Sequence, residues 1–267
     1  MSGAIRKAAV KGSFYPEDCG KVRTYFREFN RKYDALNIPD KIRTIIPRAI
    51  IVPHAGYIYS GFTANFAYRF LKHAKAKRLI VIGPSHHHAF KGISGSYYEQ
   101  YETPCGTLDI DSPYLFALAK KFNIGFEPKA HEQEHATEVQ FPFIQHYFPK
   151  TKVIELIYGE IQPATLAAII SALLHNKDNS LIISSDLSHF HDLKEANILD
   201  KNCLKAVQNL DVNELSECKA CGFTGIKAMI LAARHLKLSS KLLDYRTSAD
   251  VSNDTSSVVG YMSAMFY

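Results

Sequence analysis

Three histidines stand directly behind short apolar runs: His54 in Pro53-His54-Ala55-Gly56-Tyr57, His86 in Gly83-Pro84-Ser85-His86-His87-His88, and His189 in Ser185-Asp186-Leu187-Ser188-His189. Neutral imidazole is the commonest side-chain ligand for iron, copper and zinc, and it also supplies a general base near neutral pH. A lone histidine behind a strand is more often a hydrogen-bonded structural residue. Here all three follow separate predicted strands, and in an open α/β sheet ligands bind beyond the carboxyl ends of the strands. The trio is therefore expected to line one cleft around a metal ion. Adjacent histidines cannot all point inward, so His86 is expected to be the ligand of its run, with His87 and His88 behind it or in solvent.

A second polar cluster, Glu134-His135-Ala136-Thr137-Glu138, opens a predicted helix. His135 and Glu138, spaced i and i+3, can share the face turned to the cleft. The plainer alternative is a capped helix start with a surface ion pair. Asp186, three residues before His189, is placed to orient an imidazole as carboxylates commonly do around metals. Cys218-Lys219-Ala220-Cys221 has C-x-x-C spacing, but no second ligand pair accompanies it for zinc, and it lies too late in the chain for a thioredoxin-like turn. No G-x-S-x-G elbow, P-loop or G-x-G-x-x-G fingerprint is present.

The elements that must position these residues read as strands alternating with helices. Strands are predicted at Ala49–Val52, Leu79–Ile82, Val153–Ile157 and Leu181–Ser184, apolar without alternation, as when helices cover both sheet faces. After Pro16 and Asp18, residues Val22, Tyr25, Phe26, Phe29 and Tyr33 recur at helical spacing. Further helices are predicted at Thr63–His73, Pro113–Phe122, Glu134–Tyr147, Pro163–His175, Leu193–Leu210 and Gly225–Leu236. Pro142 should kink its helix or mark the real start. Ile93–Ile110 reads as a hairpin or edge addition and Ser256–Phe266 as a closing strand. The fold class expected is α/β, a mainly parallel central sheet flanked by helices.

The chain has 267 residues, 46% hydrophobic and 22% charged, with no linker-like stretch, and one domain over 1–267 is expected. A globule of this size buries roughly 75% of its unfolded surface and needs no structural metal to fold, so a metal would be functional. The longest apolar helical stretch, Leu166–Leu174, falls far short of the ~20 residues of a membrane span. Met1–Ser13 lacks an apolar h-region, and the five cysteines are sparse and odd in number. Both point to a soluble cytoplasmic protein with reduced thiols. The net charge of +6 comes from scattered lysines with one cluster at Lys72–Arg78. No basic stretch interleaved with aromatics accompanies it, so nucleic acid is not an expected partner.

Taken in order, Gly12-Ser13-Phe14-Tyr15-Pro16, Pro53-His54-Ala55-Gly56-Tyr57 with Ser60-Gly61, Gly83-Pro84-Ser85-His86-His87, Glu134-His135 with Glu138, Ser184-Ser185-Asp186 with His189, Cys221-Gly222 and Val258-Val259-Gly260-Tyr261 resemble the Memo family over nearly the whole chain. Lys11 departs from the alanine usual before the first glycine, and Cys218 lies outside the motif. The resemblance implies the fold of the class III extradiol dioxygenases (LigB-like), in which two histidines and a glutamate hold iron(II). Carried across, His54 and His86 match the histidine ligands, Cys221 falls where the glutamate would be, and His189 matches the catalytic acid/base. A thiolate is softer than a carboxylate and favours copper(I), zinc or thiolate-tolerant iron chemistry over ring cleavage.

The expected function is thus a metal-binding redox or oxygen-dependent protein, holding iron or copper, with zinc possible, through His54, His86 and Cys221. His189 and Asp186 would serve proton transfer, with His135 and Glu138 beside them, on a small-molecule or peptide ligand. The resemblance also implies a competing role, a non-catalytic adaptor whose cleft receives an anionic or phosphorylated peptide. It further implies radical S-adenosylmethionine and AMMECR-type partner proteins, the AmmeMemoRadiSam set.

Overall fold

The computed structural model describes residues 4–267. The strands are β1 (Ile5–Arg6), β2 (Ala49–Val52), β3 (Arg78–Pro84), β4 (Ile93–Gly95), β5 (Gln100–Thr103), β6 (Gly106–Asp109), β7 (Lys152–Tyr158), β8 (Asn179–Ser184), β9 (His189–His191), β10 (Ser240–Thr247) and β11 (Val258–Phe266). The four strands expected from β-branched runs are the parallel heart of the main sheet, in the order β2, β8, β3, β7. Their inner residues, such as Ile50, Ile51, Ile80, Val81, Ile154 and Ile182, are fully buried, which is why the runs do not alternate. Antiparallel additions complete both edges: β4 on β7, and β11 then β10 on β2. The fold is α/β with a mainly parallel central sheet flanked by helices, in keeping with the LigB-like architecture that the resemblance implied.

The strand order places the site. The chain runs from β2 to β3 and β7 and only then returns through β8, which inserts between β2 and β3. The carboxyl ends of β2, β8 and β3 are thus neighbours at a topological switch point, where an open sheet leaves a crevice. Pro53-His54, Ser185-Asp186 and Ser85-His86 emerge there together.

Helix Tyr57–Leu71 packs on β2, β10 and β11, and Phe223–His235 packs on β3, β8 and helix Pro163–His175. Helix Cys19–Asp34 is capped by Asp18, which accepts from the Lys21 amide, and it buries Val22, Phe26, Phe29 and Tyr33 as the spacing implied. Tyr57–Leu71 begins well before the expected Thr63. Gly61, which reads locally as a breaker, sits inside this helix where a Cβ would lie 2.6 Å from the Phe29 ring. Close helix packing outweighs the propensity cost of about 1 kcal/mol. The stretch 134–147 divides into His135–Glu138 and Phe141–Tyr147, with Pro142 in the first turn of the second helix. There its missing amide proton costs nothing.

Two expectations at the sheet edges change. Val258–Phe266 closes against β2 but is itself covered by β10, a half-polar strand that the pattern did not reveal. In the region 93–110, β4 extends the main sheet, while the β5–β6 hairpin joins β1 in a separate three-stranded sheet.

The cysteines overturn the expectation of reduced thiols. Cys19 pairs with Cys105 across 86 residues and Cys203 with Cys218 across 15, leaving Cys221 as the free thiol among the described residues. Neither pairing is visible in spacing, since the first joins the start of helix Cys19–Asp34 to the β5–β6 turn, at a Cα separation of 4.8 Å. An odd count shows only that one thiol is left over. Among the described residues no helix is long and apolar enough to cross a membrane.

Candidate metal centre

His54 leaves β2 through Pro53, and its backbone amide donates to Asp186 Oδ1 at 2.7 Å, which ties the β2 exit to the β8 exit. Its ring is almost fully buried, with Nδ1 2.9 Å from Ser184 Oγ and Nε2 3.2 Å from Cys221 Sγ. His86 is held by one carboxylate. Glu134 Oε2 accepts its backbone amide at 2.6 Å, and Oε1 lies 2.7 Å from its Nδ1. With both Nδ1 atoms engaged, Nε2 is the ring nitrogen left for a ligand on each histidine, that of His54 lying against the Cys221 thiol, and ligand atoms of His54, His86 and Cys221 lie within 4.8 Å of one another. That is the spacing from which an ion could draw all three with small side-chain shifts.

Cys221 is placed by close backbone packing. The Gly222 amide donates to Ser185 Oγ at 2.9 Å, and a Cβ on Gly222 would lie 2.5 Å from Ser185 Cβ and 2.9 Å from the Ser184 carbonyl oxygen. Gly222→Ala is therefore expected to push the thiol loop off the β8 exit, costing roughly 1–3 kcal/mol of stability. Metal affinity should fall with it. Thermal unfolding and a chelator competition on the same preparation check this, and unchanged values in both would show that the loop yields freely.

The electrostatics favour neutral groups waiting for a cation. Burial, then the neighbouring His86, His135 and His189 rings, holds His54 well below the usual histidine range. Burial and the nearby Asp186 push the Cys221 thiol up to about 12. Burial raises Asp186 itself to about 7. Burial alone would raise Glu134, but hydrogen bonds from His86 and the Ala136 amide hold it below the ordinary range, so it is a carboxylate and His86 Nδ1 carries the proton. The Cys221–His54 contact is accordingly a thiol beside a neutral imidazole, unlike the thiolate–imidazolium couple of cysteine hydrolases.

His189 and His135 join this cluster. His189 Nδ1 donates to the Leu187 carbonyl at 2.8 Å, which leaves Nε2 as the proton acceptor, and burial lowers its pKa. The His135 ring stands 4.5 Å from His86 and 5.3 Å from His54, and burial, then His86, lowers its pKa to about 4. His86, Glu134 and His135 form a second, overlapping group with metal-ligand spacing.

Two sequence-based placements change. Asp186 was expected to orient an imidazole, and its Oδ1 holds the backbone amide of His54 rather than a ring nitrogen. Glu138 was expected to face the cleft beside His135. Its buried carboxylate accepts from Arg6 at 2.7 Å, the Ala9 and Val10 amides at 2.9 Å and Tyr15 Oη at 2.6 Å. With four donors its acceptor capacity is filled, and it docks the N-terminal segment. That segment in turn lays Phe14 against the His135 ring at 4.9 Å. His87 lies 5.7 Å from His135, outside both ligand groups, and His88 stacks near Phe90.

The residues that sequence reasoning passed over are Glu134, Ser184 and Gln140. Glu134 carried a signal, because a ligand histidine wants a carboxylate on its other nitrogen and this one also caps a helix. Ser184 appeared only as part of the Ser184-Ser185-Asp186 motif with no role of its own, and Gln140, a polar residue within a predicted helix, carried no signal.

The profile of Memo-like proteins matches residues 6–265. A MEMO1 family protein of Methanobrevibacter smithii is 33% identical over 98% of this chain and 99% of its own length. One from Aquifex aeolicus is 32% identical with the same coverage. Among solved structures, an uncharacterized protein of Escherichia coli K12 superposes with a TM-score of 0.53 at 12% identity, covering 83% of this chain and 100% of that one. That likeness concerns the fold alone. The family match spans nearly the whole chain, including His54, His86, His189 and Cys221, and the chain belongs to the Memo-like family.

Proposed function

We propose that this protein binds iron or copper through His54, His86 and Cys221 and uses it for redox or oxygen-dependent chemistry. The observation that carries the reading is the convergence of two imidazoles and one thiol within 4.8 Å, each imidazole anchored through its other nitrogen. The donor set fits such an ion: two borderline nitrogens and one soft sulfur suit copper(I), iron(II) or zinc(II). The bound metal would supply electron transfer or activation of oxygen. Around it, Glu134 anchors His86 through its backbone amide and Nδ1, Asp186 fixes the His54 loop, and the buried thiol would lose its proton on binding. His189, whose Nδ1 is tied to the Leu187 carbonyl and whose Nε2 is left as acceptor, is the residue that takes or returns a proton in this reading.

Elemental analysis of untagged protein, then anaerobic titration with iron(II) and copper(I), tests the reading. Protein that carries no metal and takes up neither ion would refute it. His189→Ala is expected to bind metal as wild type does while losing roughly 100- to 10,000-fold in any oxygen-linked turnover, the usual contribution of an acid/base group. Loss of the metal in this variant would make His189 a ligand.

The alternative is a binding module for an anionic or phosphorylated peptide. The net charge of +6 supports it. Against it, His54, His135 and His189 are all held neutral by burial, so they offer a phosphate little charge near neutral pH. Radical S-adenosylmethionine and AMMECR-type partners, and a small-molecule ligand, are proposed on the family resemblance. A cytoplasmic setting belongs to the same proposal and has to accommodate two disulfides, as intracellular proteins of hyperthermophiles do. Alkylation of rapidly quenched cell extract, counting free thiols, checks it.

A further inference from the structure

Beneath His54 lies a dry chain of polar groups whose hydrogen positions can be solved by elimination. Ser184, Gln140 and Tyr68 are fully buried and His54 nearly so, which leaves little room for water to supply a missing partner. A hydroxyl has one proton to give and two lone pairs to fill. Ser184 Oγ has three polar neighbours: the Ala136 carbonyl oxygen at 2.6 Å, Gln140 Nε2 at 3.1 Å and His54 Nδ1 at 2.9 Å.

The Ala136 carbonyl can only accept, so it takes the Ser184 proton. The Gln140 amide has one workable orientation. Its Nε2 also lies 2.9 Å from the Pro53 carbonyl oxygen, and its Oε1 lies 3.1 Å from Tyr68 Oη, which donates to it. The flipped amide would set two acceptors against each other at Pro53, an unpaired contact that is costly in a buried place. Gln140 therefore donates to Ser184, filling one lone pair. The single position left at Ser184 Oγ is an acceptor, and His54 Nδ1 must bring the hydrogen.

We propose that Ser184 and Gln140 are positioning residues that lock His54 in its Nδ1–H tautomer, so that the Nε2 lone pair is aimed beside Cys221 Sγ before any metal arrives. The lock acts at constant charge: it selects between two neutral forms of the ring. Without it, the Ser184 hydroxyl could turn to donate to Nδ1, and the ring would present Nε2–H where a lone pair is needed. The device differs from that at His86, where a charged carboxylate does the same task and adds negative charge. Using a neutral hydroxyl at His54 sets the tautomer and leaves Glu134 as the ionised partner of the ligand histidines. The proposal rests on the metal reading above for its purpose, though not for its observable.

The test is nitrogen-15 NMR of histidine-labelled, metal-free protein, where two-bond couplings show which ring nitrogen carries hydrogen, paired with zinc(II) affinity from competition with a chromophoric chelator. Wild type should show His54 protonated at Nδ1. Ser184→Ala should show mixed tautomers at His54, unchanged His86, and zinc affinity weakened roughly 10- to 100-fold, the usual effect of losing a ligand's hydrogen-bond partner. Ser184→Thr, which keeps the hydroxyl, should recover most of that loss. Gln140→Met should shift both readouts in the same direction by less, and it carries the test if Ser184→Ala does not fold. Wild-type His54 protonated at Nε2, or a Ser184→Ala protein with an unmoved tautomer and wild-type affinity, would overturn the proposal. Failure of wild type to bind zinc, copper or iron would instead overturn the metal reading, and the coupling pattern would still decide the tautomer.

Discussion

Replacing Cys221 with serine is expected to weaken copper(I) binding by two to three orders of magnitude and iron(II) binding by less. Four-ligand zinc sites gather about 10–16 kcal/mol in all, or roughly 2.5–4 kcal/mol per ligand, which is the size of effect expected when the softest donor becomes a hard hydroxyl. The pH dependence gives the sharper signature. With the thiol pushed up to about 12 by burial, Cys221 is protonated throughout the usable range, and metal binding must release its proton. His54 is held neutral by burial and releases none near neutral pH. Affinity of the wild type should therefore rise about tenfold per pH unit from this thiol without levelling near pH 8.5, where an ordinary cysteine would level. Cys221→Ser should lose that increment, and Cys221→Glu should recover iron(II) preferentially if the longer side chain fits. Equal affinities and slopes in wild type and both variants would show that sulfur is not a ligand. Cys218 cannot serve as a neutral control, because it is joined to Cys203.

The second large effect concerns the pair Arg6–Glu138. Both side chains are buried, 2.7 Å apart, and the carboxylate also holds the Ala9 and Val10 amides and Tyr15. Removing one partner of such a pair strands the other charge in a dry place, at a cost of about 3–5 kcal/mol. Glu138→Gln should lower the melting temperature by roughly 10 °C, given that 1 kcal/mol is worth about 2–4 °C in a chain of this size. Metal affinity, measured below the transition, should stay near wild type, since Glu138 touches none of the ligands. A variant that melts normally but loses metal-linked turnover would return Glu138 to the cleft as a catalytic group.

The parallel strands announced themselves because residues buried on both faces are uniformly apolar, and their exits could then be read as a list of cleft residues. Cys221 was reached only through the family resemblance, since a thiol in a loop before a helix has no local pattern. Glu138 was misplaced for a related reason. Helical spacing tells which residues share a face, but Arg6 and Tyr15, far away in sequence, decide what that face meets. Asp186 went the same way, because its partner was the backbone of another strand exit. Strand β10 stayed hidden because partial exposure admits a mixed sequence.

The cysteine cross-links tie the chain's fate to its surroundings. Joining Cys19 to Cys105 closes a loop of 86 residues that contains both His54 and His86, and joining Cys203 to Cys218 closes one of 15. Loop-closure entropy alone puts these at about 4.5 and 3 kcal/mol against the unfolded ensemble. Their sum is comparable to the ~5–15 kcal/mol by which folded domains of any kind persist. The thiol–disulfide poise of the medium thus becomes a thermodynamic variable for this protein on a par with temperature, and its half-life in a reducing solution should be set by how often Cys19 and Cys105 are parted.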